Sequence, residues 1–440
     1  MQQRILPLLS VLFISSIIIS CKTGSINLFK ADSLHEQYQR KLETAGLDKT
    51  AMGAAWINSA TSSIEKALTI TVPFKEVGYF SAEKIPAAAY KFSAIKGQKL
   101  TISSTKKPTE TALYLDFWFL PENGKPKLVA SADTLNSPLK HDIDDTGNYL
   151  IRLQPELLKS IEYTLEITSG PSLAFPIKSK NSSNSIKSYW GDGRDNNIRK
   201  HEGIDIFGTF RSPVLSIAEG TITRVNENNL GGKVVWLRPK GKDYTVYYAH
   251  LDEQIATEGQ VVKIGDTVGL MGNTGNAKTT PTHLHFGIYT AGGAINPLPF
   301  IDPISKLPVN IGVPISNLNK TLRTSMQVKL LSAPQNRANV LANLEAGTII
   351  NVNSATGNYY RAELPDGNTG FIQSSDLAQT SKPLRMIKVN PAQIKLYNQP
   401  DSLSPVKLNL KAGQWVSILG IFNNFQLVSD ENSQVGWIVK

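Results

Sequence analysis

The spacing of hydrophobic and polar positions changes several times along the chain. After the short basic start Met1-Gln-Gln-Arg4, Ile5 to Ile19 is an apolar run interrupted by Pro7 and serines. The run is too short to span a bilayer comfortably and has the proportions of a secretory signal, residues 1–20. Leu34, Tyr38, Leu42 and Leu47 then fall about one helical turn apart, with Ser33 placed to cap the first helix. Thr50 to Leu68 continues in the same manner through Ala51, Ala54, Ala55, Ile57 and Ile64. Residues 21–68 therefore predict a short helical segment that carries no chemistry, a spacer or a packing hairpin.

From Thr69 the period shortens to that of strands. Thr69-Ile-Thr-Val, Tyr90-Lys-Phe-Ser-Ala, Leu100-Thr-Ile-Ser, Leu113 to Leu120, Tyr149-Leu-Ile-Arg-Leu and Tyr163-Thr-Leu-Glu-Ile are separated by Lys96-Gly97, Glu122-Asn-Gly124 and Asp145-Thr-Gly147. Short strands at this spacing predict a β-sandwich over 69–170, and Gly147-Asn-Tyr-Leu-Ile-Arg-Leu153 resembles the jelly-roll-like modules found next to secreted bacterial peptidases. Asp142, Asp144 and Asp145 read as a solvated acidic turn rather than a calcium loop. A linker rich in Pro, Ser and Asn covers 171–185. Residues 186–303 are again strand-rich and punctuated by glycine, and predict an antiparallel β domain.

The C-terminal part repeats itself. Val328-Lys-Leu, Pro334, Leu344-Glu-Ala-Gly347, Asn358-Tyr359 and Gly370-Phe-Ile372 return as Ile394-Lys-Leu, Pro400, Leu410-Lys-Ala-Gly413, Asn424-Phe425 and Gly436-Trp-Ile438, always 66 residues later. A constant offset over a whole unit marks duplicated domains, at 322–380 and 386–440. The pattern resembles bacterial SH3-like (SH3b) modules, which accompany wall hydrolases and bind wall peptides. Tyr359, Tyr360 and Phe425 either line such a groove or belong to the core. The fold class is mainly β and multidomain: a helical N-terminal segment, a β-sandwich, an antiparallel-β domain and two small SH3-like barrels.

Composition adds limits. At 440 residues the chain exceeds a single core, and 41% hydrophobic with 19% charged residues is ordinary for globular protein. The net charge of +10 suits an anionic neighbourhood such as a wall or membrane. No Lys/Arg block alternates with aromatics, which argues against nucleic acid. The single cysteine, Cys21, cannot form an internal disulfide. Ile18-Ile19-Ser20-Cys21 resembles the bacterial lipobox, where cleavage before Cys leaves a diacylated N-terminus. Lipidation of Cys21 would anchor the protein to a membrane surface on the exported side.

Candidate chemistry gathers in the antiparallel domain. Of six histidines, His201, His250, His283 and His285 fall within an 85-residue window. His283 and His285 lie at i and i+2, so on a strand they share a face. A catalytic zinc takes three protein ligands from His, Asp, Glu or Cys and leaves a fourth place open. His201 and Asp205, at i and i+4, would be about 13 Å apart on a straight strand. A helical turn or a bend would let them converge, and Gly203 permits a bend. The third ligand would then come from His283 or His285, leaving the other and His250 beside the metal for protons or charge.

Arg199-Lys-His-Glu-Gly-Ile-Asp-Ile, Tyr247-Tyr-Ala-His-Leu, Val268-Gly-Leu-Met-Gly-Asn-Thr-Gly and Thr282-His-Leu-His-Phe, in this order, resemble the lysostaphin/LytM-type zinc metallopeptidases of family M23. Trp190-Gly191 and Asn296-Pro297 sit where that family has its edge motifs. The resemblance implies that His201, Asp205 and His285 bind Zn2+ and that His250 and His283 are non-ligand catalytic histidines. Gly287, where an acidic residue is common, and Asn273–Thr282, which lacks the usual Ser-X-Gly spelling, depart from the pattern. The implied activity is endopeptidase hydrolysis of peptide stems or cross-links of peptidoglycan at the cell envelope. The alternative is a non-catalytic, wall-binding or amidase-activating lipoprotein.

Overall fold

Ser33 caps the first helix as its position predicts. Its hydroxyl accepts from the Glu36 N–H, and the Glu36 carboxylate accepts from the Ser33 N–H at 2.7 Å, so two helix-end donors are satisfied reciprocally. In the computed structural model, which describes residues 32–132, 137–178, 185–194, 196–390 and 394–440, this helix (Leu34–Thr44) turns into a second (Ala51–Glu65) capped by Thr50. Residues 1–20, read from the sequence as a signal peptide, and Cys21 lie outside the described residues. Among those described, no helix is long and apolar enough to cross a membrane.

The helical pair does not act as a spacer. Leu42 and Trp56 are buried against Tyr114, and the Trp56 indole donates to the Pro155 carbonyl at 2.9 Å. His35 is buried as well: its ring stacks on Trp56, and its Nε2–H donates to Gln154 Oε1 at 2.6 Å.

The hairpin rests on the first of two facing sheets that share one core, with Tyr90, Phe117, Ile102 and Leu165 at its centre. One sheet orders Leu68–Thr69, Ala88–Ala94, Gly147–Pro155, Leu113–Leu120 and Lys127–Ala132. The other begins with Leu139–Asp142, Gln98–Lys107, Ile161–Pro171 and Phe74–Phe80 and then continues. Val77 pairs with Ala355 and Gly78 with Ser354, so the Phe74–Phe80 strand joins Ile349–Thr356 of the first C-terminal repeat in an eleven-stranded sheet.

At this junction Glu76 is fully buried. Its carboxylate accepts from the hydroxyls of Tyr90 and Tyr163 at 2.7 Å and of Ser354 at 2.9 Å. Arg361 donates to Ser354 Oγ at 3.1 Å and to the Tyr163 hydroxyl at 3.4 Å, which places its cation beside the acid.

The two repeats keep the 66-residue offset in their strands. Val328–Leu331, Val340–Leu344, Ile349–Thr356 and Thr369–Gln373 recur as Ile394–Tyr397, Val406–Leu410, Trp415–Phe422 and Val435–Val439. The cross-strand pairs Val328–Leu344 and Leu331–Phe371 recur as Ile394–Leu410 and Tyr397–Trp437. Tyr360 is core, 1% exposed, with its hydroxyl donating to the Pro314 carbonyl; Tyr359 and Phe425 are half-buried.

Between these parts lies the ten-stranded sheet of residues 186–295. Its main path runs Ile186–Ser188, Ile204–Phe207, His283–Thr290, Thr245–Gln254, Gly232–Pro239, Gly220–Asn228 and Val261–Val262. Ile204, Ile206, Leu284, Phe286, Val246 and Tyr248 point into one core, each fully buried. The alternate positions Asp205, His283 and His285 therefore face the other way. This sheet is fastened to the sandwich by Lys242, which pairs with Asp142 at 2.9 Å, and by Phe300. Gly97 receives the Phe300 ring, where a Cβ would lie 2.3 Å from it. Asp142 is thus an ion-paired contact, with Lys99 as its second partner, rather than a solvated turn.

Candidate metal centre

Adjacent strands set the first two donors side by side. Asp205 and His285 are directly opposed across the pair Ile204–Phe207 and His283–Thr290. His201 comes to them by a bend. It follows the strand Arg199–Lys200, and the chain turns at Glu202-Gly203 before Ile204. A Cβ on Gly203 would stand 2.7 Å from His285 Cε1 and 2.6 Å from the Phe286 carbonyl. Glycine is needed here for close approach.

The donors form a tight triangle. His201 Nε2 lies 2.9 Å from His285 Nδ1, and each lies 3.1 Å from Asp205 Oδ1. Four-coordinate zinc with nitrogen and oxygen ligands separates its donors by about 3.3 Å, so the set fits the ion. Its chemistry fits too. His201 Nδ1–H donates to the Tyr189 carbonyl at 2.9 Å, which leaves Nε2 as a lone pair. A carboxylate oxygen and imidazole lone pairs this close repel unless a proton or a cation sits among them. Burial works against ionisation of Asp205, but the adjoining His201 and His285 imidazoles outweigh it and hold the carboxyl well below its ordinary range. Burial keeps His285 neutral by lowering its pKa.

Two further histidines stand beside the triangle. His283 Nδ1–H donates to the Pro281 carbonyl at 2.8 Å, and His250 Nδ1–H to the Thr274 carbonyl at 2.9 Å. Carbonyls only accept, so each ring keeps an unprotonated Nε2 for the site. His283 Nε2 is 3.9 Å from Asp205 Oδ1, and the His250 and His283 rings are 5.0 Å apart. Phe207 stacks on His283 and fixes its plane. A bulge delivers His250: opposite Gly232–Pro239 the pairing steps from Lys233–Leu251 to Val235–Tyr248, and His250 takes φ 60°. Burial, then the charges of His283 and His285, push His250 down to about 4.

A cleft of about 500 Å³ opens above these groups. Trp236, Tyr247 and Tyr289 form one wall, with Trp236 at 4.4 Å from Tyr247 and 5.4 Å from Tyr289 between ring centroids. Arg194 and Arg199 also line it.

Residues 199–297 match the sequence profile of peptidase family M23. That segment is an M23-type domain. Over 129 residues the chain is 36% identical to the L-Ala--D-Glu endopeptidase of Bacillus subtilis (strain 168), which covers 27% of this chain and 39% of that one. Over 101 residues it is 33% identical to the murein hydrolase activator NlpD of Escherichia coli (strain K12), covering 23% of this chain and 26% of that one. The solved structure of LytU is 35% identical and covers 27% of this chain and 84% of that chain, with a TM-score of 0.26. The chain thus spans well under half the length of either curated relative.

The structure brings together all five residues singled out in the M23-type segment. It adds partners that no spacing rule signals: the Tyr189, Thr274 and Pro281 carbonyls, Ser188, and Arg194, whose Nη2 donates to Asp205 Oδ2 at 2.9 Å. Arg194 is anchored on a two-strand hairpin with no hydrophobic alternation to announce it.

Proposed function

We propose that the chain is a zinc-dependent endopeptidase that hydrolyses peptide stems or cross-links of peptidoglycan, with His201, Asp205 and His285 holding the ion. The observation that carries this reading is the convergence of those three donors, within about 3 Å of one another, beside two imidazoles with free Nε2 atoms. When bound, zinc polarises a scissile carbonyl and lowers the pKa of water toward neutrality. The protein's own groups then handle protons. Burial and its neighbours keep His250 neutral at pH 7, and either His250 or His283, through its unprotonated Nε2, takes the proton of the attacking water and later returns a proton to the leaving amine. The Thr274 and Pro281 carbonyls hold the tautomer that this requires. While it holds that proton, the same imidazole can donate it as a hydrogen bond to the oxyanion. The aromatic wall of Trp236, Tyr247 and Tyr289 gives an extended peptide a flat face to lie against.

The setting belongs to the same proposal. Residues 1–20 would direct export, Cys21 would carry the lipid that holds the enzyme at a membrane surface, and the two C-terminal repeats would act as SH3-like wall-binding modules. The relative in Bacillus subtilis makes the L-Ala–D-Glu bond the first to test. The relative named as an activator favours a second reading, in which the domain stimulates a partner hydrolase. Purified protein should hold about one zinc and release new amino groups from defined muropeptides, read by mass spectrometry. His285→Ala should abolish both. Zinc-loaded protein that leaves muropeptides whole but accelerates an added amidase would establish the second reading instead.

A further inference from the structure

We propose that Arg194 is a positioning residue of this centre: it engages the outer oxygen of Asp205 so that the inner oxygen alone faces the metal. This rests on the metal-binding reading above. The geometry is a row across three adjacent strands. Ser188 is the strand partner of Asp205, and Asp205 is the strand partner of His285. Arg194 closes the outer end of that row. One guanidinium nitrogen, Nη2, donates both to Asp205 Oδ2 at 2.9 Å and to Ser188 Oγ at 2.6 Å. Asp205 Oδ1, on the other side of the same carboxylate, makes the contacts with His201 and His285. Ser188 Oγ in turn lies 3.2 Å from His201 Nδ1, so the Arg194–Ser188 pair reaches two of the three candidate ligands through the atoms that point away from the ion.

The physical consequences follow from what a guanidinium is. It stays charged across the working pH range and offers fixed donors but no acceptor. Its hydrogen bond to Oδ2 withholds that oxygen from the ion and fixes the carboxylate plane. Its charge also offsets part of the carboxylate's, so the ion gains less electron density and remains a stronger electrophile. Groups that orient ligands in this way are typically worth 10- to 100-fold in metal affinity. The short hairpin pairs Arg194 with Arg199, and its turn holds Asn196 and Asn197 at positive φ of 57° and 72°, which returns the chain directly to His201. Arg194 lies upstream of the segment 199–297 that matches the family profile.

The test uses the full chain as wild type, Arg194→Gln and Arg194→Lys. Zinc affinity is measured by chelator competition, and the visible spectrum of the cobalt-substituted protein reports coordination. Arg194→Gln should lose 10- to 100-fold in zinc affinity and shift the cobalt spectrum toward higher coordination, as Oδ2 becomes free to bind. Arg194→Lys should recover part of the affinity. Circular dichroism of the metal-free variants checks folding, and Arg194→Lys carries the test alone if Arg194→Gln does not fold: a several-fold loss of zinc affinity with a shifted cobalt spectrum supports the proposal. Wild-type affinity and an unchanged spectrum in the folded variants overturn it while leaving the metal reading intact. So does a loss confined to peptide turnover at unchanged affinity, which would place Arg194 against substrate instead. Absence of zinc binding by the wild type overturns the metal reading itself, and this proposal with it.

Discussion

His201, His250 and His283 each have Nδ1 committed to a backbone carbonyl and Nε2 turned inward, and this makes single substitutions informative. His250→Ala and His283→Ala should each retain zinc while lowering turnover by 10²-fold or more, the usual worth of a positioned acid or base; zinc content and rate are measured on the same sample. Gly203→Ala should act on the metal instead. Its methyl would meet the His285 ring at 2.7 Å, so the ring must move or the bend must open. The expected result is at least a tenfold loss of zinc affinity at a cost of about 1–3 kcal/mol in stability, read by calorimetry and urea unfolding. Much of this centre was legible in the sequence. A His-X-His on a strand shares a face by period alone, and the His201–Asp205 spacing demanded a bend that Gly203 allowed. Which of the pair stands with Asp205 was not legible from spacing, because that lies in register: His285 is opposite Asp205, while His283 is opposite Phe207.

Among the elements, the helical hairpin behaves as part of the core, and its histidine should register in stability. Burial and the neighbouring Arg152 charge lower the His35 pKa from 6.5 to about 3. The folded state therefore holds His35 neutral, while the unfolded chain takes up a proton below pH 6.5. Stability is full above that value and falls as pH drops toward 3, by at most about 1.4 kcal/mol per pH unit. His35→Gln, which keeps a donor for Gln154, should flatten the loss between pH 7 and 5, measured as urea midpoints of both proteins. Strand legibility had a chemical limit. Leu113–Leu120 and Thr267–Met271 follow from their composition, but Phe74–Phe80 does not. Its buried positions include Glu76 and Gly78, whereas Val77 and Tyr79 face outward and are only half-buried, which inverts the usual pattern.

At the scale of the molecule, that inverted strand welds the N-terminal sandwich to the first C-terminal repeat. Glu76→Leu should leave the Arg361 cation buried without its partner acid and cost about 3–5 kcal/mol. Adding Arg361→Met should recover part of the loss, as the coupling in a double-mutant cycle of denaturation midpoints. The 66-residue repeat was legible in the sequence but this joint was not, since a pairing between residues 77 and 355 leaves no local trace. The same joint bears on what a protease would accomplish. Leu307 and Val309 are 81% and 74% exposed in an irregular stretch between the M23-type domain and the repeats. A single nick there would yield two fragments on a denaturing gel that still elute as one particle, because the severed ends are not what holds them together. The M23-type segment is, in effect, part of a long excursion of the chain between two neighbouring strands of one sheet.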